Sequence, residues 1–256
     1  MNGIGKQAVA VRREGAVLVL SIDRFERRNS MNRQLVDQAR QALLIADTDP
    51  TIRAVLLRGE GGGFCAGSDL RYIAGLTLED MARFEQECGD LGRLIGLISK
   101  PVVASIEGFA IGGGFALAAC CDIVVAEEKS RWSLPEVPLG WLTPWGLKPL
   151  IERVGNVKAR QLCYCLEELS AAECRAIGLV DYVVADGTAD SEAMRIANQI
   201  AGLPHAAVSA TKRLFSQLML RDAETIDFEA NRLFVENCRQ PEARATLEAK
   251  KAKVSS

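Results

Sequence analysis

Two glycine-rich places in this chain have the residue types and spacing to do chemistry. The first is Gly61-Gly62-Gly63-Phe64-Cys65-Ala66-Gly67-Ser68-Asp69-Leu70, after a strand-like stretch. The second is Gly112-Gly113-Gly114, between a strand-like stretch and an alanine-rich helical one. Glycine lets backbone N–H groups approach a ligand closely, and a helix start adds about half a positive charge. Two such places can aim two N–H donors at one oxygen. In that arrangement, an oxyanion hole, losing one donor costs about 2.7–4 kcal/mol of transition-state stabilisation. Taken singly, each place also reads as a tight turn. Neither fits the GxxxxGK[ST] phosphate loop or the GxGxxG dinucleotide pattern.

Other chemistries have fewer parts available. The chain has one histidine, His205, in Leu-Pro-His, and no GxSxG. A Ser-His-Asp triad would have to use that histidine, which reads instead as a loop or helix-start residue. Of the eight cysteines, Cys163 and Cys165 form a C-x-C with no second pair. The expectation is reduced, mostly buried thiols and no metal site. Chemistry here is expected to run on carboxylates and backbone groups.

The elements that position these residues can be read from pattern. Strands are expected at 16–22, 54–57, 102–106, 123–126 and 180–184. Asn32 is a candidate N-cap for a helix carrying Leu35, Val36, Ala39 and Leu43 at helical spacing. Further helices are expected at 79–98, after the second glycine cluster, at 147–154, 157–166 and 171–177, and throughout the chain after Ser191. Strands and helices alternate for roughly 185 residues. This predicts an α/β core over 1–190 and a helical region over 191–256.

Composition agrees with a folded catalyst. The 256 residues are 48% hydrophobic and 25% charged, which excludes wholesale disorder. Lys plus Arg number 31 against 33 Asp plus Glu, a net charge of −2, which argues against general nucleic-acid binding. The uncharged stretch at 108–121 is too short for a bilayer span, which takes about 20 residues, and the N-terminus shows no apolar secretory segment. A cytoplasmic location and no membrane contact are expected.

Five segments together resemble the crotonase superfamily, the enoyl-CoA hydratase/isomerase family. Residues 24–32, RFERRNSMN, resemble that family's R-P-x-x-R-N-A-M-N. FCAGSDL at 64–70 resembles F-x-A-G-x-D-L, and IEGFAIGGG at 106–114 resembles N-G-x-A-x-G-G-G. SLPEVPLG at 133–140 resembles F-x-x-P-E-x-x-L-G, and AIGLVD at 176–181 follows A-x-x-x-G-L-V. The resemblance implies an α/β spiral of ββα turns with a C-terminal helical trimerisation region, in homotrimers or dimers of trimers. It implies an acyl-CoA thioester substrate, with coenzyme A arriving as part of that substrate and no separate cofactor. By motif position, the N–H groups of Ser68 and Gly113 would hold the thioester oxygen. Backbone around Arg28, Ser30, Ala66 and Asp69 would line the coenzyme A site, with Leu70 and Gly112 also at the substrate site. Lys250, Lys251 and Lys253 would either meet its phosphates or form a solvated helix end.

The acids decide the subtype. Hydratases of this family carry one glutamate two residues after the GGG run and another in the P-E segment. Here the first position is Ala116 and the second is Glu136. Holding a water, taking its proton and protonating carbon uses two acids. Moving one proton between two carbons needs one. Glu136 alone therefore suits a double-bond shift between 3-enoyl-CoA and 2-enoyl-CoA. The stretch 139–148, LGWLTPWGLK, resembles that of mitochondrial-type enoyl-CoA isomerases, and Leu139, Trp141 and Trp145 would line the acyl pocket. The two tryptophans read equally as packing residues. Hydration or retro-aldol cleavage of a specialised or aromatic acyl-CoA stays open, since feruloyl-CoA hydratase-lyases also lack the first glutamate. A non-catalytic acyl-CoA- or RNA-binding homologue is the alternative of another class.

Overall fold

The computed structural model describes residues 7–165 and 167–252. The chain opens with a hairpin of β1 (Val9–Glu14) and β2 (Val17–Ile22), turned at Gly15 with φ +59°. All six residues of β2 are buried, so it lies inside the sheet, while five of the six in β1 are exposed. α1 (Arg33–Thr48) follows, its first turn capped by the Asn32 side chain accepting from the Leu35 N–H at 3.0 Å. Then come β3 (Ala54–Gly59), α2 (Leu70–Ile73), α3 (Leu78–Leu97), β4 (Val102–Ile106), β5 (Phe109–Ile111) and α4 (Gly113–Ala119). The next segment runs β6 (Ile123–Glu127), β7 (Arg131–Ser133), α5 (Glu136–Leu139), α6 (Leu147–Val154), α7 (Asn156–Cys163), β8 (Leu169–Ser170), α8 (Ala171–Ala176) and β9 (Tyr182–Val184). Four helices close the chain: α9 (Ala189–Ala201), α10 (His205–Met219), α11 (Ala223–Cys238) and α12 (Pro241–Ala252).

A six-stranded sheet has the order β1-β2-β3-β4-β6-β9, parallel throughout except at the β1–β2 hairpin. A smaller sheet, β5-β7-β8, lies beside it. Two single-residue pairings, Met31 with Ser68 and Cys65 with Ala110, extend that second layer toward the N-terminus. Each turn of the chain thus places one long strand in the large sheet, one short extended piece in the second layer, and then a helix. This is the spiral of ββα turns that the family resemblance implies. Alternate residues of the buried strands feed two cores. Leu18, Leu20, Val55, Leu57 and Ala104 face α1 and α3, while Val17, Val19, Leu56 and Val103 meet Ile196 and Ala197 of α9.

The structure adds elements that the pattern did not predict. β1 is one, because an exposed edge strand carries little apolar signal. The second layer is another, because two- and three-residue strands have no measurable period. The last predicted strand narrows to β9 alone. The helix expected at 157–166 runs Asn156–Cys163, and its expected end, Leu166, lies outside the described residues. α9 starts before residue 191 and covers the outer face of the sheet, so the helices standing apart from the sheet are α10, α11 and α12. No helix among the described residues is long and apolar enough to cross a membrane.

Candidate active site

The loop after β2 is shaped by two consecutive left-handed residues, Arg28 and Asn29, each at φ 53°. Asn tolerates that conformation because its short amide bonds locally. The buried Asn29 amide donates to the carbonyls of Glu60 at 2.8 Å and Gly63 at 2.6 Å and accepts from the Arg24 N–H at 2.9 Å. It ties this loop to the first glycine cluster. The Ala66 N–H then bonds to the Arg28 carbonyl at 3.1 Å, and the Met31 N–H to the Gly67 carbonyl at 2.7 Å. The Arg28 guanidinium lies over the Phe109 ring, 4.6 Å from its centroid.

The two glycine clusters meet. A Cβ on Gly67 would sit 2.9 Å from the Gly113 nitrogen, and Gly67 has φ +82°, so only glycine fits. Gly112 turns at φ +56° and its N–H bonds to the Ser133 carbonyl at 2.9 Å, which aims the next N–H, that of Gly113, away from the sheet. Neither the Ser68 nor the Gly113 N–H donates to a backbone carbonyl among the described residues. Both residues line one cavity of about 240 Å³. The geometry is that of two unspent donors beside a pocket.

Glu136 opens α5 at the edge of this cavity. Its Oε1 lies 2.8 Å from where a Gly112 Cβ would be, so the glycine is what admits the carboxyl. Glu136 is buried, and its Oε2 has no hydrogen-bond partner; the same is true of Thr143 Oγ1 in the same cavity wall. Burial pushes the Glu136 carboxyl up to about 7, with repulsion from Glu85 adding to the effect. Its own backbone N–H and the nearby Thr143 hydroxyl oppose the rise. A buried carboxyl poised near neutrality suits proton transfer.

Of the residues expected at the site, ten line this cavity: Ser68, Gly113 and Glu136, then Arg28, Ala66, Leu70 and Gly112, and on the acyl side Leu139, Trp141 and Trp145. Ser30 and Asp69 are buried behind the wall. The Ser30 hydroxyl bonds to the Arg27 carbonyl at 2.8 Å, and the Arg24 guanidinium donates to the Ser30 carbonyl. Asp69 caps α2, accepting from the Arg71 and Tyr72 N–H groups, and pairs with Arg24 at 3.1 Å. Both hold the loop and place no side chain in the cavity. Trp141 packs edge-on against Phe234 of α11. α12 lies against α2 and α5, but neither Lys250 nor Lys251 lines the cavity, and Lys253 lies outside the described residues.

Sequence reasoning did not single out a further carboxyl in this wall, Glu85 of α3. It is 3% exposed, and burial pushes its carboxyl up to about 7 against the opposing pull of two donors. The Ser68 hydroxyl donates to its Oε1 at 2.7 Å, and the Trp145 indole N–H to its Oε2 at 3.0 Å. The signal was present: Met81, Phe84, Cys88 and Leu91 form the buried stripe of α3, and Glu85 falls on it. Ala116 explains the difference from a two-glutamate pattern. Its Cβ lies 2.9 Å from where a Gly146 Cβ would be, so the 141–146 loop occupies the room that a longer side chain would need. Gly89 and Gly92 of α3 make the groove into which Trp145 of that loop packs.

The single histidine stands outside this cavity, at the start of α10, where it neighbours Ser209 and Lys100. All eight cysteines are free thiols, and no cluster of metal-ligating side chains occurs among the described residues.

Two unspent backbone donors and a buried carboxyl lining one pocket are the parts that acyl-transfer and enolate chemistry use. The particular family follows from comparison with known proteins: residues 12–253 match Enoyl-CoA hydratase/isomerase, and the chain belongs to that family, within the crotonase superfamily. A crotonyl-CoA hydratase of Syntrophomonas wolfei is 32% identical over 219 residues, 84% of each chain. An enoyl-CoA hydratase/isomerase structure from Mycobacterium paratuberculosis superposes with a TM-score of 0.87 at 25% identity, covering 95% of this chain and 98% of that one. A carnitinyl-CoA dehydratase from Mycobacterium avium 104 superposes with a TM-score of 0.83 at 30% identity, covering 96% and 98%.

Proposed function

We propose that this enzyme forms and discharges a thioester enolate on an enoyl-CoA, with Glu136 moving the proton at carbon. The observation that carries this reading is the buried Glu136 carboxyl, with one unpartnered oxygen, in the same cavity as the Ser68 and Gly113 N–H groups. As carboxylate, Glu136 takes a proton from Cα of a 3-enoyl thioester. The C–H electrons pass into the carbonyl, and the two N–H groups hold the resulting oxyanion. Glu136 then returns the proton to Cγ, leaving the double bond between Cα and Cβ. This shift needs only one carboxyl. Coenzyme A enters as part of the substrate, and no separate cofactor takes part in the reading.

Hydration of a 2-enoyl-CoA is the second reading. A specific observation favours it: Glu85 puts another carboxyl in the wall. The crotonyl-CoA hydratase relative points the same way. Self-association of three copies or two sets of three belongs to the same proposal, supported by Leu214, Phe215 and Leu218 exposed along α10.

Incubation in heavy water with a panel of 2-enoyl, 3-enoyl and aromatic enoyl-CoA thioesters, read by mass spectrometry, tests the proposal. Deuterium entering carbon, with conversion of 3-enoyl to 2-enoyl thioester, is the result expected for the shift. A product heavier by one water establishes hydration. A panel recovered with neither change refutes the enolate reading itself.

A further inference from the structure

We infer that Glu85 is a second acid–base residue of this pocket, the one that takes a proton from water, so that the enzyme keeps a two-carboxyl site despite Ala116. The inference rests on the reading that Glu136 moves the proton at Cα.

Each carboxyl adjoins a different one of the two donor segments. Glu85 is joined to Ser68 through the 2.7 Å hydrogen bond from its hydroxyl. Glu136 lies against Gly112, next to Gly113. A thioester oxygen held by both N–H groups therefore lies in a cavity lined by both carboxyls. Both side chains line the same cavity. They come from different elements, α3 and α5, so neither depends on the other for its placement.

The hydrogen bonds divide their roles. Glu85 receives two donors, the Ser68 hydroxyl and the Trp145 indole, and donors stabilise the charged form of a carboxyl. The upward push on Glu136 is opposed only by its own backbone N–H and the nearby Thr143 hydroxyl, and its Oε2 has no partner. Two carboxyls in one enclosed site also resist ionising together. Water addition therefore uses the singly ionised pair with the charge on Glu85, and the double-bond shift uses the pair with the charge on Glu136.

The first of these pairs balances the addition of water. One O–H bond of water breaks and its proton goes to Glu85. The water oxygen bonds to Cβ, and the double-bond electrons pass to the thioester oxygen held by Ser68 and Gly113. The enolate collapses by taking the Glu136 proton onto Cα. Glu85 is then neutral and Glu136 ionised, and exchange of one proton with solvent at each restores the starting pair.

The test compares Glu85→Gln and Glu136→Gln on 2-enoyl and 3-enoyl thioesters of four to ten carbons in heavy water. Glu136→Gln is expected to lose both water addition and deuterium exchange at Cα. Glu85→Gln is expected to slow water addition a hundredfold or more, the usual scale of one general base, while slowing Cα exchange less than tenfold. Equal loss of both reactions in Glu85→Gln would make it only a support for Ser68 and Trp145, and would overturn the inference. So would water addition at the native rate, or a native enzyme that exchanges Cα protons on the whole panel without hydrating any member. A native enzyme that does not exchange Cα protons at all would instead sink the Glu136 reading beneath it.

Ser68→Ala gives a second measurement that does not remove either carboxyl. The ionisable groups facing Glu85 are Glu136 on α5, Cys88 on its own helix and Cys238 on α11. Burial keeps both thiols protonated, Cys238 being pushed up to about 12. Loss of the hydroxyl donor should move the acidic limb of the water-addition profile to higher pH and leave that of Cα exchange in place. Limbs that move together, or not at all, contradict a proton-accepting Glu85.

Discussion

The Ser68 hydroxyl donates to Glu85 Oε1 at 2.7 Å, so the residue whose N–H is proposed to hold the substrate oxygen also holds a buried carboxyl with its side chain. The contact joins the first glycine cluster to α3 and makes one wall of the pocket. Gly112 and Glu136 make the other.

Replacing Glu136 by Gln keeps its size and removes its proton. Turnover should fall by at least about a hundredfold, since general acid–base catalysis typically contributes 10²–10⁴-fold. Acyl-CoA affinity, measured by calorimetry, should stay within a few-fold, because the residues expected to line the coenzyme site, Arg28, Ala66 and Leu70, are unchanged. Unchanged turnover would remove Glu136 from the mechanism.

Gly67→Ala should damage the oxyanion hole without touching a side chain of the site. The new methyl would sit 2.9 Å from the Gly113 nitrogen and 3.0 Å from the Ile111 carbonyl oxygen, at a φ of +82°. Displacing one donor costs about 2.7–4 kcal/mol in such sites, so kcat should drop about 10²–10³-fold. The fall should appear in kcat more than in KM, because the charge on oxygen develops during the reaction.

Glu85 and Glu136 make stability depend on pH in a direction opposite to that of paired surface carboxylates. Burial pushes each up to about 7 in the folded chain, whereas unfolding returns it to about 4.3. Between those values the folded state holds the extra protons. The contribution is thus fully present below about 4.3 and lost as pH rises through about 7. Glu85→Gln should remove its share, on the order of 1–3 kcal/mol between pH 4.5 and 8.5. Denaturant unfolding of both proteins at the two pH values reads this as a difference that changes with pH. A constant difference would place Glu85 in a more solvated setting.

Asn29→Ala should cost about 2–4 kcal/mol of stability, since it strips partners from buried groups. The affected groups are the carbonyls of Glu60 and Gly63 and the N–H of Arg24. Because this amide ties the Arg28 loop to the glycine cluster, KM for acyl-CoA should rise as well. Thermal melts and steady-state kinetics check the two effects together.

Several parts of this site were legible along the chain. The Asn32 cap, the buried β2, β3 and β4, the two glycine clusters and the Glu136 position are local statements, and local sequence carries them. β1 and the short strands of the second layer were not, because an exposed edge and a three-residue strand leave no periodic trace. Glu85 shows the other boundary. Its place on the buried stripe of α3 was legible, but the groups it meets there come from distant segments.

The sequence by itself determined the family pattern, the two backbone-donor loops and the one acid at the expected place. Only the tertiary structure decided that Glu85 meets Ser68, 17 residues away, and Trp145, 60 residues away, inside one cavity. The physical reason is burial. Removing water from a carboxylate is unfavourable, and packing α3 against the 141–146 loop and the Ser68 segment both imposes that loss and supplies one donor from each to offset it.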